Sequence, residues 1–238
     1  MGNILHQLVE KQVACWRMQR QIEDLRQRPG RRLENGVAYG PCLLISRQRG
    51  SGGGTIACRV GERLGWHLFN KGIMDEIAQL PEVQGELLES VDAQTRAKWE
   101  ETFRHEPKPG DREYETQMRA LRRLVLTLGH QGDVIIVGRG AQYILPAPCA
   151  LRVRVVAPAA LRMRRLTDGE KLSAAAAEAE VQRCDRDRDA FVKHGFQRDP
   201  GSPLEYDLVI NTEKITYEAA AGLVLQALSD KLGVRLRK

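Results

Sequence analysis

Short apolar runs alternate with longer amphipathic segments along most of this chain. The apolar runs at 42–45, 65–69, 133–137, 150–156 and 208–210 predict β-strands. Between them, apolar residues recur three or four positions apart, which predicts helices at 54–64, 112–128, 158–166, 173–196 and 216–232, with 71–103 mostly helical. Strands that alternate with helices predict an α/β fold in which helices cover both faces of a parallel sheet.

The beginning of the chain lies outside this alternating pattern. Residues 1–28 predict one amphipathic helix, which Pro29-Gly30 ends. Such a helix either packs on its own domain or contacts a partner, for example a second copy of the chain in a homodimer. Residues 29–40 predict a linker. We therefore divide the chain into an N-terminal helix and linker at 1–40 and a domain at 41–238.

Charge and composition limit the classes of function. The 37 lysines and arginines exceed the 31 acidic residues, and the net charge of +6 favours anionic ligands. Only 5% of residues are aromatic and they do not interleave with basic ones, so we expect no nucleic-acid partner. No apolar stretch approaches the ~20 residues of a membrane helix. Five scattered cysteines are typical of reduced thiols, and we expect a cytoplasmic protein without a membrane partner.

The most informative segment is rich in glycine and follows the strand at 42–45. Four glycines lie between positions 50 and 54, where the next helix begins. Such a turn offers backbone N–H groups at a helix N-terminus to an anion, usually a phosphate. Thr55 adds a hydroxyl for a phosphate or for Mg²⁺, and Arg47 and Arg49 add positive charge. The alternative is a tight turn that binds no ligand.

This segment departs from the usual phosphate-binding loop at two positions. That loop is written G-x-x-x-x-G-K-[ST], and its lysine reaches the phosphates. Here Arg47 stands at the position of the first glycine, and Gly53 stands at the position of the lysine. The loop therefore retains the backbone features of a phosphate site without the lysine that polarises the phosphate.

A second candidate site lies at Gly138-Arg139-Gly140, directly after the strand at 133–137. Ligands of open parallel sheets sit beyond the carboxyl ends of the strands. The Arg139 side chain is therefore placed to bind a phosphate or a carboxylate. The alternative is a surface arginine in a loop.

A third candidate is the arginine-rich segment at about 162–198. Arg162 and Arg165 are three residues apart, as are Arg183 and Arg186, so each pair shares a helix face. One interpretation is a mobile lid whose arginines close over transferring phosphates. The other is a solvated helix whose charges form salt bridges.

Three motifs, in order along the chain, carry a family resemblance. They are ISRQRGSGG at 45–53, VIIVGRGA at 134–141 and YDLVINT at 206–212. Together they resemble the cytidylate kinase-like family, relatives of bacterial cytidylate kinase among the nucleoside monophosphate kinases. The resemblance covers about residues 41–230 and leaves out the predicted N-terminal helix.

The resemblance implies a P-loop NTPase-like fold with a helical lid, and a site for ATP and Mg²⁺. It assigns the ATP phosphates to the loop residues Gly50, Ser51, Gly52, Gly53, Gly54 and Thr55, with Thr55 also at the Mg²⁺. Arg139 matches an arginine that contacts the monophosphate. The catalytic charges of the lid correspond to Arg164, Arg165, Arg183, Arg186 and Arg188, and Arg47 is a candidate to compensate for the missing lysine.

Two departures from the family pattern fall on functional positions. Gly53 replaces the lysine that serves ATP catalysis, and Gly140 replaces an aspartate connected with cytosine-nucleotide specificity. The leading hypothesis is a phosphotransferase that moves the γ-phosphoryl group of ATP to a nucleoside monophosphate or a similar small phosphorylated acceptor. The alternatives are a weak or inactive nucleotide or phosphate sensor, and a structural protein that kept the fold without the ligand.

Overall fold

The structure is a computed structural model that describes residues 31–104 and 112–235. Its strands are, in chain order, β1 (Arg32–Glu34), β2 (Val37–Tyr39), β3 (Cys42–Arg47), β4 (His67–Phe69), β5 (Val134–Val137), β6 (Ala150–Val156) and β7 (Leu208–Asn211). Its helices are α1 (Gly53–Leu64), α2 (Lys71–Ala78), α3 (Pro81–Glu89), α4 (Ala93–Arg104), α5 (Arg112–Gln131), α6 (Ala159–Glu170), α7 (Ala174–Phe196) and α8 (Tyr217–Leu232). Short 3₁₀ turns lie at Ala141–Tyr143, Ala147–Cys149 and Pro203–Glu205.

Five parallel strands form the central sheet, in the order β4-β5-β3-β6-β7. Strand β3 lies at the centre of this sheet, and its apolar run is buried on both faces, as in sheets covered by helices on each side. Leu43 and Ile45 belong to the core under α1 and α8. Cys42 and Leu44 belong to the opposite core, with residues of α2 to α5. The predicted α/β fold with helices on both faces is confirmed.

The structure corrects the linker predicted at 29–40, because two strands lie within residues 31–40. Strands β1 and β2 form an antiparallel hairpin, with Asn35 and Gly36 at its turn in left-handed conformation, φ 50° and 71°. Val37 and Tyr39 are buried in the core on the α5 side. The Asn-Gly pair between short apolar stretches was the available signal for this hairpin.

The lid segment consists of two packed helices. Helix α7 begins at the cap residue Ser173, whose hydroxyl accepts a hydrogen bond from the N–H of Ala176. Leu166, Ala177 and Val181 form a small core between α6 and α7. The helix predicted at 1–28, with its proposed homodimer contact, lies outside the described residues. Within 31–104 and 112–235, no helix is long and apolar enough to cross a membrane.

Candidate phosphate-binding and acceptor site

The glycine loop, residues 48–52, connects the carboxyl end of β3 to the first turn of α1. Gly50 and Gly52 have φ of 79° and 88°, a region that favours glycine. A Cβ at Gly50 would lie 2.8 Å from the carbonyl oxygen of Arg162, and a Cβ at Gly52 would lie 2.5 Å from Cζ of Tyr217. Both glycines are therefore required by backbone conformation and by close packing.

The first turn of α1 is suited to hold phosphates. The N–H groups of Gly53, Gly54 and Thr55 have no acceptor within the helix, as at any helix start, and the positive end of the helix dipole lies there. A Cβ at Gly54 would meet nothing within 4 Å, and Thr55 is exposed. These groups fit a phosphate chain, and Thr55 can offer its hydroxyl to an accompanying Mg²⁺. Within 31–104 and 112–235, no cluster of His, Cys, Asp or Glu could hold a metal by itself.

The side chain of Arg47 fills the space beside Gly53, which stands at the lysine position of the loop. A Cβ at Gly53 would lie 2.7 Å from Cβ of Arg47 and 3.1 Å from its Cγ. The stem of Arg47 thus passes directly over Gly53, and its guanidinium extends to Gly138 at the end of β5. The two departures from the loop pattern are therefore coupled, since the arginine at 47 needs glycine at 53.

Beside the loop lies a cavity of about 300 Å³, which we call the arginine pocket. Strands β3, β5 and β6 form its floor at their carboxyl ends, and α7 covers it. Its cationic lining residues are Arg47, Lys71, Arg139, Arg154, Arg183 and Arg188. The carboxylates of Asp187 and Asp189 also line it. The excess of cations predicts an anionic ligand.

Burial and mutual repulsion act on the arginines of this pocket. Burial, together with the positive charges of Arg188, Arg139 and Arg154, lowers the pKa of Arg47 to about 10. Burial also lowers the pKa of Arg139 and of Arg188. Cations held close together in this way are destabilised until an anion binds between them.

Arg139 lies where the sequence predicted, at the end of β5, and lines the pocket. Its backbone is left-handed, with φ 57°, which is costly for a residue other than glycine. An ion pair with Asp75 of α2 holds the guanidinium, and the ring of Phe191 lies 5.6 Å from it. Its Nε atom is buried without an acceptor in the described chain. Arg139 is thus positioned with hydrogen-bonding capacity to spare.

Only some of the predicted lid arginines line the arginine pocket. Arg188 lines the pocket and donates to the carbonyl of Arg47 at 3.0 Å, and Arg183 lines it while paired with Glu180 and Asp187. Arg164 has a side chain 79% exposed and pairs only with Asp168 among the described residues. Arg186 is exposed and does not line the pocket. Their catalytic roles stay predictions.

Arg165 connects the glycine loop to Thr212 through hydrogen bonds. It donates to the carbonyl of Gly50 at 3.3 Å and to both oxygens of Thr212, at 2.9 and 2.7 Å. The Thr212 hydroxyl in turn donates to the carbonyl of Ser51 at 2.8 Å. The Ser51 hydroxyl is itself spent on the carbonyl of Gln48. Arg165, Thr212 and Ser51 therefore fix the shape of the loop.

Asp185, which the sequence reasoning did not single out as functional, joins the lid to the loop together with Arg162. The Asp185 carboxylate accepts from the backbone N–H of Arg49 at 2.8 Å and from the buried Arg162 guanidinium at 2.5 Å. Arg162 also donates to the carbonyl of Arg49. This arrangement holds α7 against the loop. The functional interpretation of Arg162 as a free lid charge gives way to a structural ion pair.

Arg154 was also missed, although a sequence signal existed. It alternates with apolar residues in β6 and lies toward the carboxyl end of that strand, beside the central strand. Arg154 donates to the Ser46 hydroxyl at 2.6 Å and lies 5.7 Å from the ring of Tyr206. A charged residue inside a buried strand, next to the glycine loop, is typical of a binding site.

Gly140 lies under an aromatic side chain. Its φ is 64°, and a Cβ there would lie 2.5 Å from Cζ of Phe196. The ring of Phe196 also contacts Tyr143 and Phe191, with centroids 5.3 and 5.9 Å away. The aspartate that Gly140 replaces in the family pattern has no room here.

A strand, a glycine loop and a helix thus follow one another beside a pocket that is lined by arginines. A family model described as the cytidylate kinase-like family matches residues 43–214. The chain belongs to the cytidylate kinase-like family. This membership establishes the kinase-like class of the domain and leaves its substrate open.

Individual relatives say less about the class of this protein than the family does. A solved structure of an uncharacterized protein from Eubacterium ventriosum matches with a TM-score of 0.60 and 20% identity, over 79% of this chain and 98% of that one, which shows the shared fold. A shikimate kinase from Acinetobacter baumannii aligns with a TM-score of 0.42 and 19% identity, over 82% and 96% of the two chains.

A curated uronate isomerase from Corynebacterium glutamicum is 32% identical over 115 residues, which are 48% of this chain and 22% of that protein. The chain thus spans about a fifth of the length of the curated relative that it matches. Isomerase activity is the description of that longer protein.

Proposed function

We propose that this member of the cytidylate kinase-like family transfers the γ-phosphoryl group of ATP to a nucleoside monophosphate or a similar small phosphorylated acceptor. The observation that carries the proposal is the arginine pocket, which lies beside the glycine loop and is lined by Arg47, whose stem packs on Gly53. With a donor phosphate on the loop and an acceptor phosphate in the pocket, the two would lie next to each other, as in-line transfer requires.

The chain's own residues supply binding and charge. The N–H groups of Gly53, Gly54 and Thr55 hold the donor phosphates, and Arg139 holds the acceptor phosphate. An ionised oxygen of that phosphate forms a bond to the γ-phosphorus while the bond to the β–γ bridging oxygen breaks, and ADP leaves with that electron pair. Since the attacking oxygen is already ionised, no general base is needed. ATP, bound together with Mg²⁺, would supply the phosphoryl group that is transferred.

The closed lid excludes water from this transfer. Helix α7 reaches the loop through Asp185 and covers the pocket through Arg183 and Arg188. Excluding water prevents transfer of the phosphoryl group to a water molecule, and it strengthens each arginine's attraction for the developing negative charge. In this proposal Arg47 and Arg188 neutralise that charge.

A second candidate function is a sensor that binds nucleotide with little or no turnover. The observation that favours it is the packing of Arg47 over Gly53, which leaves no space for the usual lysine. Loss of one well-placed donor typically costs about 10²- to 10³-fold in rate. The guanidinium of Arg47 extends toward Gly138 and the acceptor pocket, so its compensation of the missing lysine has to be measured.

The deciding experiment is coupled ADP release with MgATP and, separately, CMP, dCMP, UMP, AMP, GMP and 3-phosphoglycerate. We expect acceptor-dependent release that falls at least about 10²-fold in Arg139→Ala. The matched control is Lys193→Ala, which removes an exposed charge from α7 outside the pocket. Release with no acceptor dependence, while MgATP still raises the melting temperature, would favour the sensor.

A further inference from the structure

Three arginines of the pocket differ from its other arginines in their ionic partners. Arg47, Arg154 and Arg188, which we call the arginine triad, form no ion pair with a carboxylate in 31–104 or 112–235. Arg183 and Arg139, by contrast, have acidic partners. Asp185 is near enough to act on Arg188, but its oxygens are engaged by Arg162 and the N–H of Arg49. The triad is therefore available to an anion.

One member of the triad, Arg154, starts from a backbone position well away from Arg139. The sheet order places β3 between β5 and β6, so Arg139, which follows β5, and Arg154, on β6, start two strand spacings apart. Neighbouring strands are about 4.8 Å apart, which makes this separation roughly 10 Å. Arg47 lies between them on β3. The cations of the pocket therefore start from three neighbouring strands, and the guanidinium of Arg47 extends to Gly138, between Arg154 and Arg139.

The features expected for reading a cytosine are reduced in the same pocket. Phe196 fills the space over Gly140 where the family's aspartate would project. The neighbouring ring of Phe191 is engaged by the guanidinium of Arg139, which leaves less of it for stacking against a base. Asp189 lines the pocket as a remaining acidic group, and Asp187 is engaged by Arg183.

We propose that the acceptor carries two anionic groups, with its phosphate at Arg139 and a second phosphate or carboxylate at the arginine triad. This inference rests on the proposed function only in taking the arginine pocket as the acceptor site. It names a small phosphorylated acid or bisphosphate, rather than a cytosine nucleotide, as the class of substrate. Charge-assisted hydrogen bonds from the triad supply the discrimination.

The test is isothermal titration without ATP, so that binding is measured apart from transfer. The matched ligands are glycerol 3-phosphate against 3-phosphoglycerate, and ribose 5-phosphate against ribose 1,5-bisphosphate, with CMP as a nucleotide comparison. We expect the member with two anionic groups to bind about 10- to 100-fold more tightly in each pair, the effect of one well-formed charge-assisted contact. We expect CMP to bind like the members with one anionic group.

Two variants locate the second anion. Arg154→Gln and Arg188→Gln keep hydrogen-bonding capacity while removing charge, and each should reduce the advantage at least about fivefold. Binding of glycerol 3-phosphate should change much less. Lys193→Ala is the control for loss of a charge outside the pocket. Far-ultraviolet circular dichroism and the melting temperature identify a variant that fails to fold, and the other variant then decides.

Equal affinity within both pairs, or no binding by any of these ligands, would overturn the inference, because the triad would then serve only the transferring phosphoryl group. An advantage that persists in both variants would overturn the assignment to the triad. The proposed function is judged separately by ADP release, which can succeed with CMP even if no ligand with two anionic groups is preferred. Binding without ADP release would count against the proposed function alone.

Discussion

The coupling between positions 47 and 53 can be measured as a free energy. A Cβ at Gly53 would lie 2.7 Å from Cβ of Arg47, a distance that real Cβ atoms essentially never show. Gly53→Ala should therefore destabilise the protein by overpacking, by about 1–3 kcal/mol. Arg47→Ala keeps the offending Cβ and should not relieve the effect. Arg47→Gly removes it.

The size of the effect follows from the opposing terms. Alanine is a better helix former than glycine by up to about 1 kcal/mol, so Gly53→Ala should be neutral or slightly stabilising once position 47 is glycine. The coupling energy of the double-mutant cycle should then be about 1–3 kcal/mol. For a domain of this size, that corresponds to roughly 2–12 °C in melting temperature.

The assay is urea unfolding of the wild type, both single variants and the Arg47→Gly/Gly53→Ala double variant, with the same cycle repeated for Arg47→Ala. We expect coupling in the glycine cycle and little in the alanine cycle. A coupling energy below about 0.5 kcal/mol in the glycine cycle would refute the packing argument, since independent sites add within that range. A separate kinase assay compares Gly53→Lys with Arg47→Gly/Gly53→Lys. It shows whether the usual lysine raises the rate only when position 47 is glycine.

Three further predictions follow from other contacts. Gly140→Asp should lower stability by about 2 kcal/mol or more and should not create CMP binding, because Phe196 and the positive φ oppose it; thermal unfolding and titration with CMP check this. Asp185→Asn should cost about 1.5–3 kcal/mol in urea unfolding, since it weakens the buried contact with Arg162 and the link to the loop. Burial raises the pKa of Asp207, but hydrogen bonds from Arg152 and Lys231 outweigh burial, and the pKa is lowered overall. The ionised Asp207 therefore stabilises the folded protein above the ordinary pKa of an aspartate, and this stabilisation is lost as the pH falls below about 4. The melting temperature of Asp207→Asn should thus approach that of the wild type at low pH.

Local sequence patterns were sufficient for the sheet, the helices and the glycine loop. Apolar runs such as 134–137 are buried on both faces, and the loop glycines follow β3 as predicted. These features depend on neighbours in sequence, because strand burial and helix periodicity are local properties. The hairpin at 32–39 was missed even though Asn35-Gly36 was a local signal for it.

The sequence by itself determined the family, the glycine loop and the position of Arg139 after a strand. Only the tertiary structure decided which charges are free to bind a ligand. Arg162 and Arg165 are consumed by Asp185, Thr212 and loop carbonyls, whereas Arg154, from a strand far along the chain, joins the pocket. The physical reason is that availability of a charge depends on the groups packed around it. Those groups come from distant segments that spacing alone does not bring together.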